Sequence, residues 1–112
     1  MNSINTDCFC PCCGYPGLTT APYKDYSGPP VSEEMHPPYH YFMGEPSYEV
    51  CSCCGYEFGN DDDPGTSEPT SFEEYLLQWI KDGCTWFAPS LKPDRWRLSE
   101  QLRAAGIANP TA

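Results

Sequence analysis

One hexapeptide pattern, Cys-x-Cys-Cys-Gly-Tyr, occurs twice in this chain of 112 residues. The first copy spans residues 10–15 and the second spans residues 51–56, and we call them the first knuckle and the second knuckle. In each copy the outer cysteines have Cys-x-x-Cys spacing, and the two copies use six of the eight cysteines. A short chain needs a covalent or metallic staple to stabilise its small core. The repeat therefore predicts either a disulfide framework or a metal site.

The start of the chain and the cysteine spacing favour the metal. Residues 1–13 contain no basic start and no apolar stretch, so we expect no signal peptide and a reducing, cytoplasmic location. Two Cys-x-x-Cys-Gly turns can present four thiolates in a tetrahedron, which suits Zn²⁺, with iron as the alternative. The predicted ligands are Cys10, Cys13, Cys51 and Cys54. Four thiolates close the coordination shell, so we expect a structural metal and no enzyme activity.

The remaining cysteines leave alternatives to this ligand set. They are Cys8, Cys12, Cys53 and Cys84. They offer thiols for a second site, or for replacing one of the predicted ligands. The symmetry of the repeat favours a single site, with Cys12 and Cys53 turned away from the metal. We expect Cys84 to pack as a small apolar residue beside Trp86 and Phe87.

The first 66 residues are predicted to form a β-rich unit that carries both knuckles. Three stretches in it have strand-like composition: 18–23, 47–50 and 56–58. A β-rich unit of this kind would bring the two knuckles to the ends of two hairpins. The chain between the knuckles only has to return, so its length is weakly constrained.

Residues 24–46 interrupt this unit as an insert with five prolines. That proline density predicts a long surface loop, with one helical turn at 31–35. His36 and His40 stand four residues apart in the insert, and a second metal there is the alternative to histidines that face water. The acidic run at 61–63 lacks the alternation of a calcium loop and is predicted to be solvated.

The remaining residues, 67–112, are predicted to form a two-helix extension packed on the β-rich unit. Thr70 or Ser71 can cap the first helix, because a glutamate follows three residues later in a capping-box pattern. An apolar stripe at helical spacing runs along it: Phe72, Tyr75, Leu76, Trp79 and Ile80. The second helix is predicted to start near Pro93 and to stop at Gly106. The fold class is therefore small α+β.

The formal net charge of −10 is concentrated in the first part of the chain. Residues 1–68 carry eleven acidic residues against Lys24 alone, whereas residues 69–112 carry five acids and five bases. Such a charge is first of all a solubility feature. As a binding feature it predicts a basic protein partner and repels the phosphates of nucleic acid. No segment is long and apolar enough to predict a membrane span.

Two stretches of the sequence resemble a known family. Residues 10–19, which begin Cys-Pro-Cys-Cys-Gly-Tyr, and residues 48–63, which begin Tyr-Glu-Val-Cys, are similar to the bacterial cysteine-rich CPCC family. The resemblance covers about a quarter of the chain and implies a zinc-ribbon-like fold. The second knuckle with its acidic loop also resembles the first knuckle of rubredoxin. Rubredoxin places its second cysteine pair downstream, however, whereas here the partner pair lies upstream.

These patterns predict a small soluble bacterial protein in which a structural zinc site of four cysteines supports a protein-binding module. An immunity or antitoxin protein for a basic nuclease toxin is one specific form, on charge logic alone. The first alternative is a nucleic-acid-binding zinc ribbon, which would use a local basic and aromatic patch made of Arg95, Trp96, Arg97 and Arg103. The second alternative is a rubredoxin-like iron electron carrier.

Overall fold

The structure is a computed structural model, and it describes residues 8–111. Three α-helices lie in this range: α1 at His40–Met43, α2 at Phe72–Lys81 and α3 at Leu98–Ala105. A 3₁₀ turn at Pro89–Leu91 connects α2 to α3. The buried side chains form one cluster, to which both knuckles, the insert, α2 and α3 contribute. None of the described helices has the length and apolar character needed to cross a bilayer.

The sheet predicted for the first 66 residues is not formed in the part that the structure describes. From residue 8 onward, β pairing is limited to two isolated antiparallel bridges, Tyr23 with Pro46 and Val50 with Glu57. Proline has no amide hydrogen, so the first bridge cannot extend as a regular ladder through Pro46. At the second bridge, Tyr48 has a φ of 61°, which turns the chain out of the extended conformation. The predicted strands are therefore replaced by irregular, hydrogen-bonded loops.

Helix α2 has the start that its sequence predicts. Ser71 is the N-cap, and its side chain accepts a hydrogen bond from the amide of Glu74 at 3.1 Å. The Glu74 carboxylate accepts one in return from the amide of Ser71 at 3.1 Å, which completes the capping box. The buried face of the helix carries Phe72, Leu76 and Trp79. This face packs α2 onto the common core.

Helix α3 begins later than predicted. Pro93 lies in a preceding turn, where its carbonyl accepts a hydrogen bond from the amide of Trp96 at 3.3 Å. Arg95 has a φ of 61°, and this left-handed residue prevents the helix from starting earlier. The predicted end is confirmed, because Gly106 is the left-handed C-cap with a φ of 76°.

The Pro-rich insert contributes to the core, so the prediction of a surface loop was wrong for part of it. Tyr26, Tyr39 and Met43 are buried. The ring of Tyr39 stacks on that of Phe72, with centroids 3.9 Å apart and an interplanar angle of 5°. The turn predicted within 31–35 is present as a single hydrogen-bonded turn, and the helix of the insert, α1, lies further on. Aromatic side chains outweigh the prolines here because burying each one stabilises the fold.

The acidic run at 61–63 is also not a fully solvated loop. Asp62 is completely buried. Its Oδ2 accepts hydrogen bonds from the hydroxyl of Tyr23 at 2.8 Å and from the amide of Tyr39 at 3.0 Å, and its Oδ1 accepts one from the amide of Gly59 at 2.8 Å. A buried carboxylate is stable only with such partners. Asp62 therefore ties the insert to the loop that follows the second knuckle.

Candidate metal centre

The two knuckles have the same backbone geometry. In each, the amide of the first cysteine donates to the carbonyl of the tyrosine, and the amide of the glycine donates to the carbonyl of the first cysteine. The distances are 2.8 and 2.8 Å in the first knuckle and 2.9 and 2.9 Å in the second. The glycines, Gly14 and Gly55, have φ values of 82° and 86°. Only glycine adopts this left-handed conformation at low cost, which explains its place in both copies.

The turns aim backbone donors at the sulfurs. In the first knuckle the amide of Cys12 donates to the Sγ of Cys10 at 3.4 Å. In the second knuckle the backbone of Cys54 contributes to lowering the pKa of the Cys51 thiol. Amide hydrogen bonds of this kind stabilise a thiolate, which is the form that binds metal.

The fold brings all four predicted ligand cysteines together. The sulfurs of Cys10, Cys13, Cys51 and Cys54 all lie within 4.8 Å of one another. Across the two knuckles, Cys13 and Cys51 have sulfurs 3.7 Å apart, and those of Cys10 and Cys54 are 4.0 Å apart. A tetrahedron with metal–sulfur bonds of about 2.3 Å has edges of about 3.8 Å. The four sulfurs therefore fit a metal ion of this type, and they are too far apart for disulfides, whose bond is about 2.05 Å.

Burial controls the protonation of this four-cysteine cluster. Burial raises the pKa of Cys10 to about 12 and raises the pKa of Cys13 and of Cys54 well above the usual value. Burial acts in the same direction on Cys51, but thiol hydrogen bonds from the other three cysteines outweigh it and hold the pKa of Cys51 well below its usual value. The metal-free cluster thus favours three thiols around one thiolate. A divalent cation would replace those protons.

The two middle cysteines lie outside the group of four predicted ligands and make hydrogen bonds to the helices. The thiol of Cys12 donates to the carbonyl of Phe72, the first residue of α2, at 3.4 Å. The sulfur of Cys53 accepts a hydrogen bond from the side-chain amide of Gln101 on α3 at 3.5 Å. Each spare thiol therefore joins its knuckle to a different helix.

The other candidate ligands lie apart from the cluster. Among residues 8–111 the four-cysteine cluster is the one group of three or more such side chains close enough to hold a metal. The His36 ring packs edge-on against Phe42, and His40 lies 3.3 Å from a carboxylate oxygen of Asp63. Cys8 is buried, and Cys84 is partly exposed. The structure does not bring the two histidines into a second metal site.

Supporting residues around the knuckles come from distant parts of the chain. Gln101 donates a hydrogen bond to the carbonyl of Cys13 at 3.0 Å, across 88 positions of sequence. The segment after α2 also bonds to the second knuckle: the amide of Phe87 donates to the carbonyl of Cys53 at 3.0 Å, and that of Ala88 to the carbonyl of Ser52 at 2.8 Å. No local pattern marks these residues as partners of a cysteine turn. Sequence reasoning missed them for that reason.

Comparison of the chain with protein-family models, with curated proteins and with solved structures gives no match. The class of protein is therefore defined by the site itself: a small fold built around four buried cysteines that can hold a metal ion.

Proposed function

We propose that this protein is a small protein-binding module whose fold is stabilised by a structural zinc ion at the four-cysteine cluster. The observation that carries the proposal is the cluster itself, in which two turns of the same geometry hold four buried sulfurs within 4.8 Å. Tetrahedral sulfur ligation at this separation suits Zn²⁺. Binding that ion would stabilise the folded state directly, because the unfolded chain has no preformed site.

The proposed role of the metal is structural rather than catalytic. Catalytic zinc sites keep an open position for water or substrate, usually with histidine or carboxylate among the ligands. Here four thiolates would fill a tetrahedral shell, and each of the four side chains is at most 5% exposed. Substrate would have neither a coordination position nor access. The proposal is therefore a binding protein and not an enzyme.

The family and fold parts of the proposal rest on the repeat. We propose a likeness to the CPCC family and to zinc ribbons for the two opposed knuckles alone. The near-identical hydrogen bonds of the two turns support that likeness, since zinc ribbons use two such turns to enclose one ion. The helical part of the chain lies outside this likeness.

Charge supports a basic protein as the proposed partner. In the part of the chain described, the one contact within 4 Å between a carboxylate and a basic side chain is that of Asp63 with His40. Among residues 8–111 no lysine or arginine neutralises the other acidic side chains, and those on the surface are available to a partner's lysines and arginines, whereas Asp62 is buried. A cytoplasmic immunity or antitoxin protein for a basic nuclease toxin is the specific form that we propose.

The metal is tested by elemental analysis of protein purified under reducing conditions without an affinity tag that binds metal. We expect one zinc per chain and a colourless sample, whereas a red sample with one iron would favour the electron carrier. Chelation should remove the ion and abolish the far-UV circular dichroism of the fold. A folded protein with no bound metal would overturn the proposal.

The partner is tested in a growth assay. Cells that express small basic nuclease toxins, one per strain, also receive this protein or its Cys10→Ser variant. We expect the intact protein to restore growth against at least one toxin, and the variant to fail. Restoration by neither, together with salt-dependent retention of the protein on DNA or RNA, would favour the nucleic-acid-binding alternative.

A further inference from the structure

A groove of about 740 Å³ lies where four parts of the chain meet. These parts are the first knuckle, the insert, α2 and the segment after α3. Ligand sites in proteins usually have volumes of about 300–1,000 Å³, so the groove is large enough for several side chains. The structure thereby places the insert, which has no role in the four-cysteine cluster, at a surface with the dimensions of a binding site.

The walls of the groove are mainly apolar. Tyr39 and Phe72, the stacked pair of the core, form one side of it. Val31, Met35 and Ile107 pack against the core and remain partly exposed in the groove. Leaving apolar surface in contact with water is unfavourable by about 25 cal/mol per Å². Methionine adapts its shape easily, which suits a surface that receives a partner's side chains.

The charged side chains that line the groove are both acidic. Glu33 belongs to the insert and Glu73 to the first turn of α2, and both are exposed. Neither makes a hydrogen bond or ion pair through its side chain within the described residues. No lysine, arginine or histidine lines the groove in the part of the chain that the structure describes. The electrostatic potential of the groove is therefore negative, and its walls are mainly apolar.

We propose that this groove binds a segment of a partner protein that inserts apolar side chains between the insert and α2 and places lysine or arginine against Glu33 and Glu73. The inference deepens the proposed protein-binding function and rests on it. Two acidic groups at the rim repel phosphate and carboxylate ligands and attract ammonium and guanidinium groups. Apolar anchors would supply most of the affinity, and the rim charges would select the partner.

The test uses two libraries of synthetic peptides, each about eight residues long. Peptides of the first library combine lysine with leucine, isoleucine or phenylalanine in varied order. In the second library glutamate replaces every lysine. Each library is titrated into the full-length, ¹⁵N-labelled protein after its metal content has been measured. We expect peptides of the lysine library alone to bind, with amide shifts concentrated at residues 30–35, 73–76 and 106–108.

Three variants probe the groove with the best peptide. The double variant Glu33→Gln, Glu73→Gln should raise its Kd about fivefold, because exposed ion pairs contribute little each. Met35→Glu should raise the Kd about tenfold or more by placing a charge among the apolar contacts. Glu34→Gln is the matched control, since it removes a neighbouring charge outside the groove and should leave the Kd unchanged.

Three results would overturn the inference: equal binding by both libraries, amide shifts that map elsewhere, or no binding at millimolar peptide. Its failure is distinguishable from failure of the proposed function. A protein with one metal per chain whose growth-protecting activity survives Met35→Glu would bind its partner through another surface. If the protein contains no metal but still binds the lysine peptides in the groove, the proposal of a structural metal fails and the proposal of a peptide-binding groove stands.

Discussion

The first and second knuckles share a sequence pattern and a backbone geometry, yet the rest of the molecule supports them differently. The side chain of Gln101 on α3 bonds to both turns, but only the first knuckle also bonds to α2, through the thiol of Cys12. The second knuckle instead accepts two backbone hydrogen bonds from the segment after α2, at Cys53 and Ser52. A short motif therefore determines the local turn, but long-range packing determines how firmly each turn is held. Substitutions in and around the two turns separate these contributions.

The largest effect is expected from removing any one of the proposed metal ligands. Structural zinc contributes about 10–16 kcal/mol of binding free energy in small peptides, which is comparable to the whole stability of a domain. Cys10→Ser in the first knuckle and Cys51→Ser in the second should both lose the metal and unfold at room temperature. Metal analysis with circular dichroism measures both outcomes.

The controls for this experiment are the spare cysteines of the same turns. Cys12→Ala and Cys53→Ala should retain one metal per chain, because neither side chain belongs to the four-cysteine cluster. If the second-knuckle ligand variant stayed folded while the first-knuckle variant did not, protein contacts would be sufficient to hold the second turn. That result would show that the two knuckles depend on the metal to different extents.

The next effect is the pH dependence of metal binding. Burial raises the pKa of Cys10, Cys13 and Cys54, so these thiols are protonated in the metal-free protein at neutral pH, whereas Cys51 is ionised. About three protons must then leave for each metal bound, and affinity should fall about 1,000-fold for each unit that pH decreases near neutrality. Titration calorimetry in buffers of different ionisation enthalpy counts the protons.

The two knuckles also differ in the pKa values of their outer cysteines. Both outer cysteines of the first knuckle have raised pKa values, while the second knuckle holds the single favoured thiolate at Cys51. Because these buried thiols resist ionisation, the metal-free fold keeps its full stability below the ordinary thiol pKa of 9.0 and loses stability as the pH rises above that value. Release of one proton or fewer per metal would contradict the prediction.

A smaller loss is expected from removing the buried carboxylate of Asp62, which ties the insert to the loop after the second knuckle. Asp62→Ala leaves three buried donors without their acceptor, from Tyr23, Tyr39 and Gly59. Each unsatisfied buried group costs about 1–3 kcal/mol, so we expect a loss of about 3 kcal/mol or more in the free energy of unfolding. The midpoint of urea denaturation of the metal-loaded protein measures it. Asp63→Ala, an exposed neighbour, should change stability by about 0.5 kcal/mol or less, and equal effects would show that the buried network is unimportant.

Local sequence signals predicted the parts of this molecule that depend on neighbouring residues. The turns of both knuckles follow from cysteine spacing and from glycine, and the start of α2 follows from Ser71 and Glu74. The spacing also identified which four cysteines meet. In each of these cases the interacting groups stand within a few positions of one another, or repeat the same pattern.

Contacts between distant segments could not be predicted in this way. The burial of Asp62 depends on Tyr23 and Tyr39, which lie 39 and 23 positions away. In composition the insert resembles a loop, and its aromatic side chains have no periodicity that would indicate a buried face. The predicted strands failed for the opposite reason, because a local preference for extended structure was overruled by Pro46 and by the left-handed Tyr48. Propensity is a weak prior where tertiary packing decides.

The most discriminating comparison of the two knuckles uses the same substitution at their equivalent glycines. Both Gly14→Ala and Gly55→Ala place a side chain at positive φ, which costs about 1–2 kcal/mol. At Gly14 the new Cβ would also stand 3.0 Å from the Cβ of Ala105 and 3.1 Å from the backbone carbonyl oxygen of Gln101, and α3 cannot yield without moving as a whole. At Gly55 the nearest atoms, 3.4 Å and 3.5 Å away, belong to the side chains of Tyr75 and Phe87.

The second alanine thus meets ordinary contacts, while the first overpacks the interface with α3 at a further cost of about 1–3 kcal/mol. We expect Gly14→Ala to lower the free energy of unfolding by about 2 kcal/mol more than Gly55→Ala, measured by urea denaturation at saturating metal. Gln101→Ala removes a side chain but keeps the backbone carbonyl, so adding it to Gly14→Ala should not restore the lost stability. Equal losses at both glycines would mean that the motif alone, and not the packing of α3, sets how firmly the first turn is held.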